Sequence, residues 1–151
     1  MKLKRTAKLS AGVLAVAFIA IQFIHPAPNV APPGPQPNDL ATLHAAPPAV
    51  RTILAKACYD CHSDTTRYPW YASVQPVAWW LDHHISEGKS ALNFSQFGAY
   101  SEKRAARKLE EILDELHERG MPLRSYTLIH RDAQLSDAEV KTLTDWIESI
   151  Q

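Results

Sequence analysis

The five residues Cys58-Tyr59-Asp60-Cys61-His62 constrain this chain more than any other stretch, because they hold its only two cysteines and end on a histidine. Two thiols in the spacing C-x-x-C can each add to a vinyl group of haem, and the histidine that follows is placed to bind the iron from one face. A chain built on this motif has to supply a slot for the ring and a residue for the opposite face of the iron. The rival readings fit less well. A zinc site wants four ligands, commonly with a second Cys or His pair, and His83-His84 is adjacent rather than spaced to converge on one metal. A thioredoxin-like redox pair belongs after a strand in a βαβ unit, and no long alternating pattern is present. A disulfide across two intervening residues would close a tiny, strained loop and stabilise little.

Haem attachment of this kind takes place outside the cytoplasm, and the N-terminus provides a route there. Lys2, Lys4, Arg5 and Lys8 precede sixteen residues, Leu9 to Ile24, of which only Ser10 and Gln22 are polar. That is the pattern of an uncleaved signal anchor over residues 1–25. As a helix the apolar run would span roughly 24 Å, short of a bilayer core of about 30 Å by an amount that snorkelling or local thinning absorbs. The basic cluster would stay in the cytoplasm and send the remainder across the inner membrane in a single pass. The alternative is a cleaved signal and a soluble periplasmic protein. Its small-residue cleavage candidates, Ala27 and Ala31, are each followed by proline, which is unfavourable just after a cut.

Residues 26–48 hold eight of the eleven prolines and read as an extended, semi-rigid linker. The folded domain then occupies 49–151. After Lys8 the chain carries 12 basic against 16 acidic side chains, which gives no reason to expect nucleic-acid binding. Within the domain, helices are expected over Ala49 to Ala57, over Val77 to Glu87 behind Pro76 and closed near Gly88, and over Glu102 to Arg119. The last of these is capped by Ser101 and ended by Gly120, with Ala105, Leu109, Ile112, Leu113 and Leu116 on one face. A final helix opens on the capping box Ser136-Asp137-Ala138-Glu139 and runs through Ile150, with Val140, Leu143 and Ile147 aligned. Leu92 to Gly98 reads as a loop or short turn. The expected fold is all-α: a small cytochrome c-like helical domain of about four helices around one covalent haem, preceded by an N-terminal membrane helix.

Cys58 and Cys61 are therefore the candidates for thioether links to haem c, and His62 for the proximal iron ligand. For the distal face the first choice is Met121, the only methionine besides Met1, held between a helix-ending glycine and a proline in Gly120-Met121-Pro122. His84 is the alternative, since a bundle helix can present imidazole to iron. His83 and His117 fall on solvent-facing positions, His130 suits a backbone or propionate hydrogen bond, and His25 and His44 lie in the tail and linker. Arg67 and Arg124 flank the proposed iron-facing segments and are candidates for propionate pairing.

Several blocks together are also familiar. Cys58-Tyr59-Asp60-Cys61-His62-Ser63, Arg67-Tyr68-Pro69-Trp70-Tyr71, His84, Glu87-Gly88 leading to Leu92-Asn93-Phe94-Ser95, and Met121-Pro122-Leu123 with Tyr126 and His130 resemble the small bacterial haem-binding domain family of c-type cytochromes. The resemblance covers about Pro48 to Ser149. It implies a membrane-anchored or exported protein with one covalent haem, and says little of its task. The run from the haem motif to a Met-Pro and a last aromatic-bearing helix also resembles class I cytochromes c, from which the paired histidines and tryptophans of the middle depart. The expected function is a membrane-tethered one-haem electron carrier serving redox partner proteins that the sequence does not name. The alternative is a haem-based sensor or small-ligand-binding module with a vacant or His-ligated sixth position. Enzymatic, peroxidase-like chemistry is not expected, because no residue clearly supplies a polar distal acid or base.

Overall fold

In the computed structural model, which describes residues 2–151, the chain is all-α, and no strand occurs among the described residues. Met1 and the side chains of Lys2, Leu3 and Arg5 lie outside the described residues. Among the described residues eight α-helices are joined by loops and three short 3₁₀ segments, and the chain divides into two units.

One unit comprises Met1–Pro28 and Arg67–His84. Its main element is α1, Lys2–Ile21, followed by a 3₁₀ turn at Trp70–Ser73 and the first half of α5, Val77–Ala91. Gln75 is fully buried and organises this unit. Its backbone N–H donates to Gln22 Oε1 at 2.9 Å, its side-chain amide donates to the Ile24 carbonyl, and its Oε1 accepts from the Trp79 N–H at 3.3 Å. Among the described residues no helix is long and apolar enough to cross a membrane. The physical reason is that α1 takes in the basic start of the chain and stops at Ile21, so its apolar part, residues 9–21, spans only roughly 20 Å.

The other unit comprises Asn29–Thr66 and Ile85–Gln151. Its core is made by short apolar repeats on separate helices: Val50, Ile53 and Leu54 of α3 (Pro48–Ala57), Leu109 and Leu116 of α6 (Glu102–His117), and Leu143, Trp146 and Ile147 of α8 (Asp137–Ser149). Each follows the i, i+3, i+4, i+7 spacing that puts side chains on one face. Phe94 and Phe97, from the 3₁₀ segment Phe94–Ala99, complete it. That segment lies where a loop or short turn was expected, at 92–98. Two caps follow the sequence reading: Ser101 Oγ accepts from the Arg104 N–H, and Ser136 and Glu139 form the capping box of α8. Glu139 also meets Lys56 of α3 at 2.7 Å, tying the two helices together.

Three local features differ from expectation. The segment 26–48 contributes to the core: Asp39 caps the short helix α2 (Leu40–Leu43), and Leu40, Ala41 and Ala46 are buried. Proline density disfavours regular structure without preventing the few apolar residues between prolines from packing. The end of α6 uses Arg119, not Gly120, in the left-handed region at φ 57°, while the Gly120 N–H donates to the Glu115 carbonyl at 3.0 Å. Finally, α5 does not close at Gly88 but runs on to Ala91. Gly88 is needed there for another reason, since a Cβ would lie 2.6 Å from the Cys61 carbonyl oxygen.

Gly88→Ala, which in an ordinary helix interior stabilises by up to about 1 kcal/mol, is therefore expected to destabilise by about 1–3 kcal/mol through overpacking against backbone, read as a lower urea midpoint. Glu139 supplies a second test. Its carboxyl is held down to about 2 by Lys56 and by the Ser136 cap. A depressed carboxylate contributes stability that is complete above the unfolded value near 4.5 and is lost as pH falls towards 2. Glu139→Gln should cost about 1 kcal/mol at pH 7, and denaturation curves of the two proteins should converge near pH 2.

Candidate functional site

The haem-motif cysteines lie at the end of α3, where the Cys58 N–H still donates to the Leu54 carbonyl at 3.0 Å. The chain then makes one more helical turn, α4 (Tyr59–His62), closed by the His62 N–H donating to the Cys58 carbonyl at 2.9 Å. Both thiols are free and half-buried. Burial, with the neighbouring Cys61 charge, pushes Cys58 up to about 12, and burial with Asp60 also raises Cys61. Both are thus neutral thiols at physiological pH.

The imidazole of His62 is held by the segment after α5. A carbonyl can only accept, so Nδ1 carries the proton and donates to the Leu92 oxygen at 3.1 Å, leaving the Nε2 lone pair for a metal. Burial pushes His62 below its ordinary value, against the pull of the Leu92 and Gly88 carbonyls and of Glu115. Its neutral, metal-binding form is therefore favoured. Phe94 packs against both Tyr59, at 5.5 Å between ring centroids, and His62, at 6.3 Å edge-on.

The Leu92-Asn93-Phe94-Ser95 block is in turn bolted to the residues following His62. Asn93 Nδ2 donates to Asp64 Oδ1 at 2.9 Å, Ser95 Oγ accepts from the Asp64 N–H at 3.0 Å, and Gln96 and Lys89 reach the same carboxylate at 2.6 and 2.8 Å. Burial alone would raise the Asp64 carboxyl. The hydrogen bonds from Gln96, Lys89 and Asn93 outweigh it and hold Asp64 below the usual range. Asn29 adds a brace from the other side, donating to the Ser63 carbonyl at 2.9 Å and to Thr66 Oγ1 at 3.0 Å while accepting from Lys89.

Beside this turn lies a cavity of about 440 Å³, within the range of cofactor sites. Cys58, His62 and Met121 all line it. Leu54, Ala57, Leu92, Phe94, Ile112 and Leu116 provide an apolar wall. The structure thus brings together one thiol of the motif, its histidine and the sole methionine of the domain, with Cys61 next to His62 in the chain. A porphyrin needs an apolar slot, two thiols on one turn and nitrogen or sulfur donors for iron, and these residues fit that group. Among the described residues no set of three or more His, Cys, Asp and Glu could hold a bare metal ion.

None of the remaining sequence candidates is among the residues lining this cavity. His84 belongs to the first unit, where its Nδ1 donates to the Trp80 carbonyl at 2.8 Å and its ring lies 4.2 Å from that of Trp80. His83 and His117 are exposed. His130 Nδ1 donates to the Tyr126 backbone at 3.3 Å and stacks on the Tyr126 ring at 4.2 Å. Of the two arginines, Arg124 is exposed at the start of α7 (Arg124–Thr127) and Arg67 lies in the first unit. The polar edge of the cavity is mainly acidic, with Glu111, Asp114, Glu115 and Glu118 against Lys108, which is paired to Glu111. Propionates are not favoured along that edge.

Reasoning from the motif missed three contributors. The Leu92 carbonyl orients His62, Phe94 packs on it, and Tyr126 donates to Asp60 Oδ2 at 2.7 Å, fastening α7 to the middle of the motif. The signal for the first two was the Leu-Asn-Phe-Ser block itself, whose polar residues now have partners.

No curated protein and no solved structure matches this chain. The model of one family, described as a haem-binding domain, does match, over residues 16–149. With that span covering nearly the whole chain, and with a motif turn and cavity suited to the cofactor, the chain belongs to the haem-binding domain family.

Proposed function

We propose that this haem-binding protein is a one-haem c-type cytochrome that carries electrons, with thioether links to Cys58 and Cys61, His62 as proximal and Met121 as distal iron ligand. The observation that carries this reading is the convergence of Cys58, His62 and Met121 on one largely apolar cavity. Bound there, haem would supply one-electron chemistry by cycling between ferric and ferrous iron. The chain's own groups do the rest. The Leu92 carbonyl fixes the His62 tautomer, which raises the basicity of Nε2 and holds the ring in one orientation through any change of charge. Leu54, Ile112, Leu116 and Phe94 keep water from the slot, and Met121, as a thioether, would set the couple more oxidising than a second imidazole does. Carrying electrons needs no substrate pocket, and no acid or base is assigned to one.

The chain is further proposed to be tethered to the inner membrane through its N-terminal segment, with residues 49–151 on the extracytoplasmic side. Supporting this are the four basic residues ahead of the apolar run and the demand of haem attachment for an exported chain.

Absorption spectra of the haem-loaded protein test the ligand set. The wild type should show a weak far-red thioether-to-iron band. Met121→Ala should lose that band and lower the reduction potential by roughly tens to hundreds of millivolts, while His84→Ala leaves both unchanged. The opposite pattern would transfer the distal position to His84. Rapid carbon monoxide binding by the unmutated ferrous protein would instead identify a vacant-site sensor. Haem should remain with the denatured chain, and replacing both cysteines with alanine should release it.

A further inference from the structure

The first unit has more apolar surface than water tolerates well. Leu9, Val13, Leu14, Val16, Phe18 and Ile19 of α1 are each more than half exposed. At 100° per residue these positions surround the helix, so no single face could be covered by packing one element against it. A helix apolar on all sides is stable when a nonaqueous medium surrounds it. Past its end the apolar character continues, with Phe23 83% exposed.

The end of this helix is stitched to an aromatic segment. Gln22 and Gln75 exchange a reciprocal pair of hydrogen bonds, side chain to backbone, at 2.9 and 3.3 Å. His25 Nε2 donates to the Ser73 carbonyl at 3.1 Å. The buried Gln75 amide joins the Ile24 carbonyl to the Trp79 N–H, so a single side chain ties the exit of α1 to the first turn of α5. On either side of this stitch in sequence stand Tyr68 and Trp70, then Trp79 and Trp80. All four are exposed, Trp70 by 82%. Tryptophan and tyrosine favour the headgroup level of a bilayer, where the ring meets acyl chains and the N–H or O–H meets water. The stitch holds the segment that carries these rings to the exit of α1, the point where an inserted helix would emerge.

We propose that Tyr68, Trp70, Trp79 and Trp80 form an interfacial collar that docks on the phospholipid headgroup boundary where the N-terminal segment leaves the bilayer. The inference rests on the membrane-tether reading and adds to it the surface that meets the lipid. It also answers the shortness of the apolar run. A collar seated about 5–10 Å into the headgroup and acyl boundary takes up the length that a roughly 20 Å apolar helix lacks. The basic residues at the other end of α1 suit anionic headgroups on the opposite side.

The test uses the full haem-loaded chain in vesicles of phosphatidylethanolamine and phosphatidylglycerol, with bromine carried either near the headgroup or near the acyl chain ends. Bromine quenches tryptophan fluorescence on contact. Three of the four tryptophans lie in the collar, and the fourth, Trp146, is buried in the core of the other unit and serves as an internal reference. Headgroup-level bromine should lower the wild-type emission about twofold, chain-end bromine should have little effect, and the variant Trp70→Phe/Trp79→Phe/Trp80→Phe should lose the quenching while keeping its haem absorbance. If that variant fails to fold, Trp70→Phe alone, at a site too exposed to disturb packing, should lose part of the quenching. A chain that sediments with the vesicles yet is unquenched, or is quenched more from the chain ends, overturns the collar and leaves the tether standing. A chain that stays in the supernatant overturns the tether and the collar with it.

Discussion

The hydrogen bond from His62 Nδ1 to the Leu92 carbonyl is the contact on which the rest of the haem-binding unit depends. An imidazole left free could present either nitrogen in many orientations. Committed to a backbone carbonyl, it presents one lone pair in one direction, and in a ligand to iron such an outer partner governs both affinity and basicity. The carbonyl is useful only if it does not move. That requirement accounts for the polar network around Asp64, in which Asn93, Ser95, Gln96 and Lys89 bind the segment carrying Leu92 to the loop that follows His62. It also accounts for Gly88, where the last turn of α5 approaches the Cys61 carbonyl more closely than any side chain would allow.

Charge and burial are divided between the two sides of the motif. On one side, Cys58, His62 and Phe94 line a cavity with an apolar wall, and burial keeps the Cys58 thiol and the His62 imidazole in their neutral forms. On the other, Asp39 and Asp60, both buried, and the half-buried Asp64 each receive hydrogen bonds, from Tyr59, Tyr126 and the Asn93 network respectively. Three carboxylates around one turn would repel one another in an apolar setting. Hydrogen-bonded in this way, they become anchors that join α2, α7 and the Phe94 segment to the motif. The motif is thus a structural hub of this unit as well as the cofactor-binding element proposed for it.

Much of the helical scaffold was legible because its signals are local. The Ser101 and Ser136 caps act within three residues, and the apolar spacing of α6 and α8 declares which face is buried without reference to the rest of the chain. What was misjudged depends on distant partners. Gly88 resembles a helix stop in isolation and is a clearance for Cys61 in the fold. Leu40 sits in a proline-rich stretch that looks like a spacer, yet it is fully buried because α2 meets the core formed by residues far along the chain.

The sequence by itself determined the all-α class, the principal helix caps, the C-x-x-C-H spacing and the identity of the one available methionine. These are matters of composition and of spacing within a turn or two. Only the tertiary structure decided that His62 leans on Leu92, that Cys58, His62 and Met121 share a cavity, and that the exit of α1 is stitched through Gln75 to the aromatic segment. Those contacts join residues 30 to 63 positions apart, and no local rule ranks such pairings until packing, burial and hydrogen-bond satisfaction are resolved together.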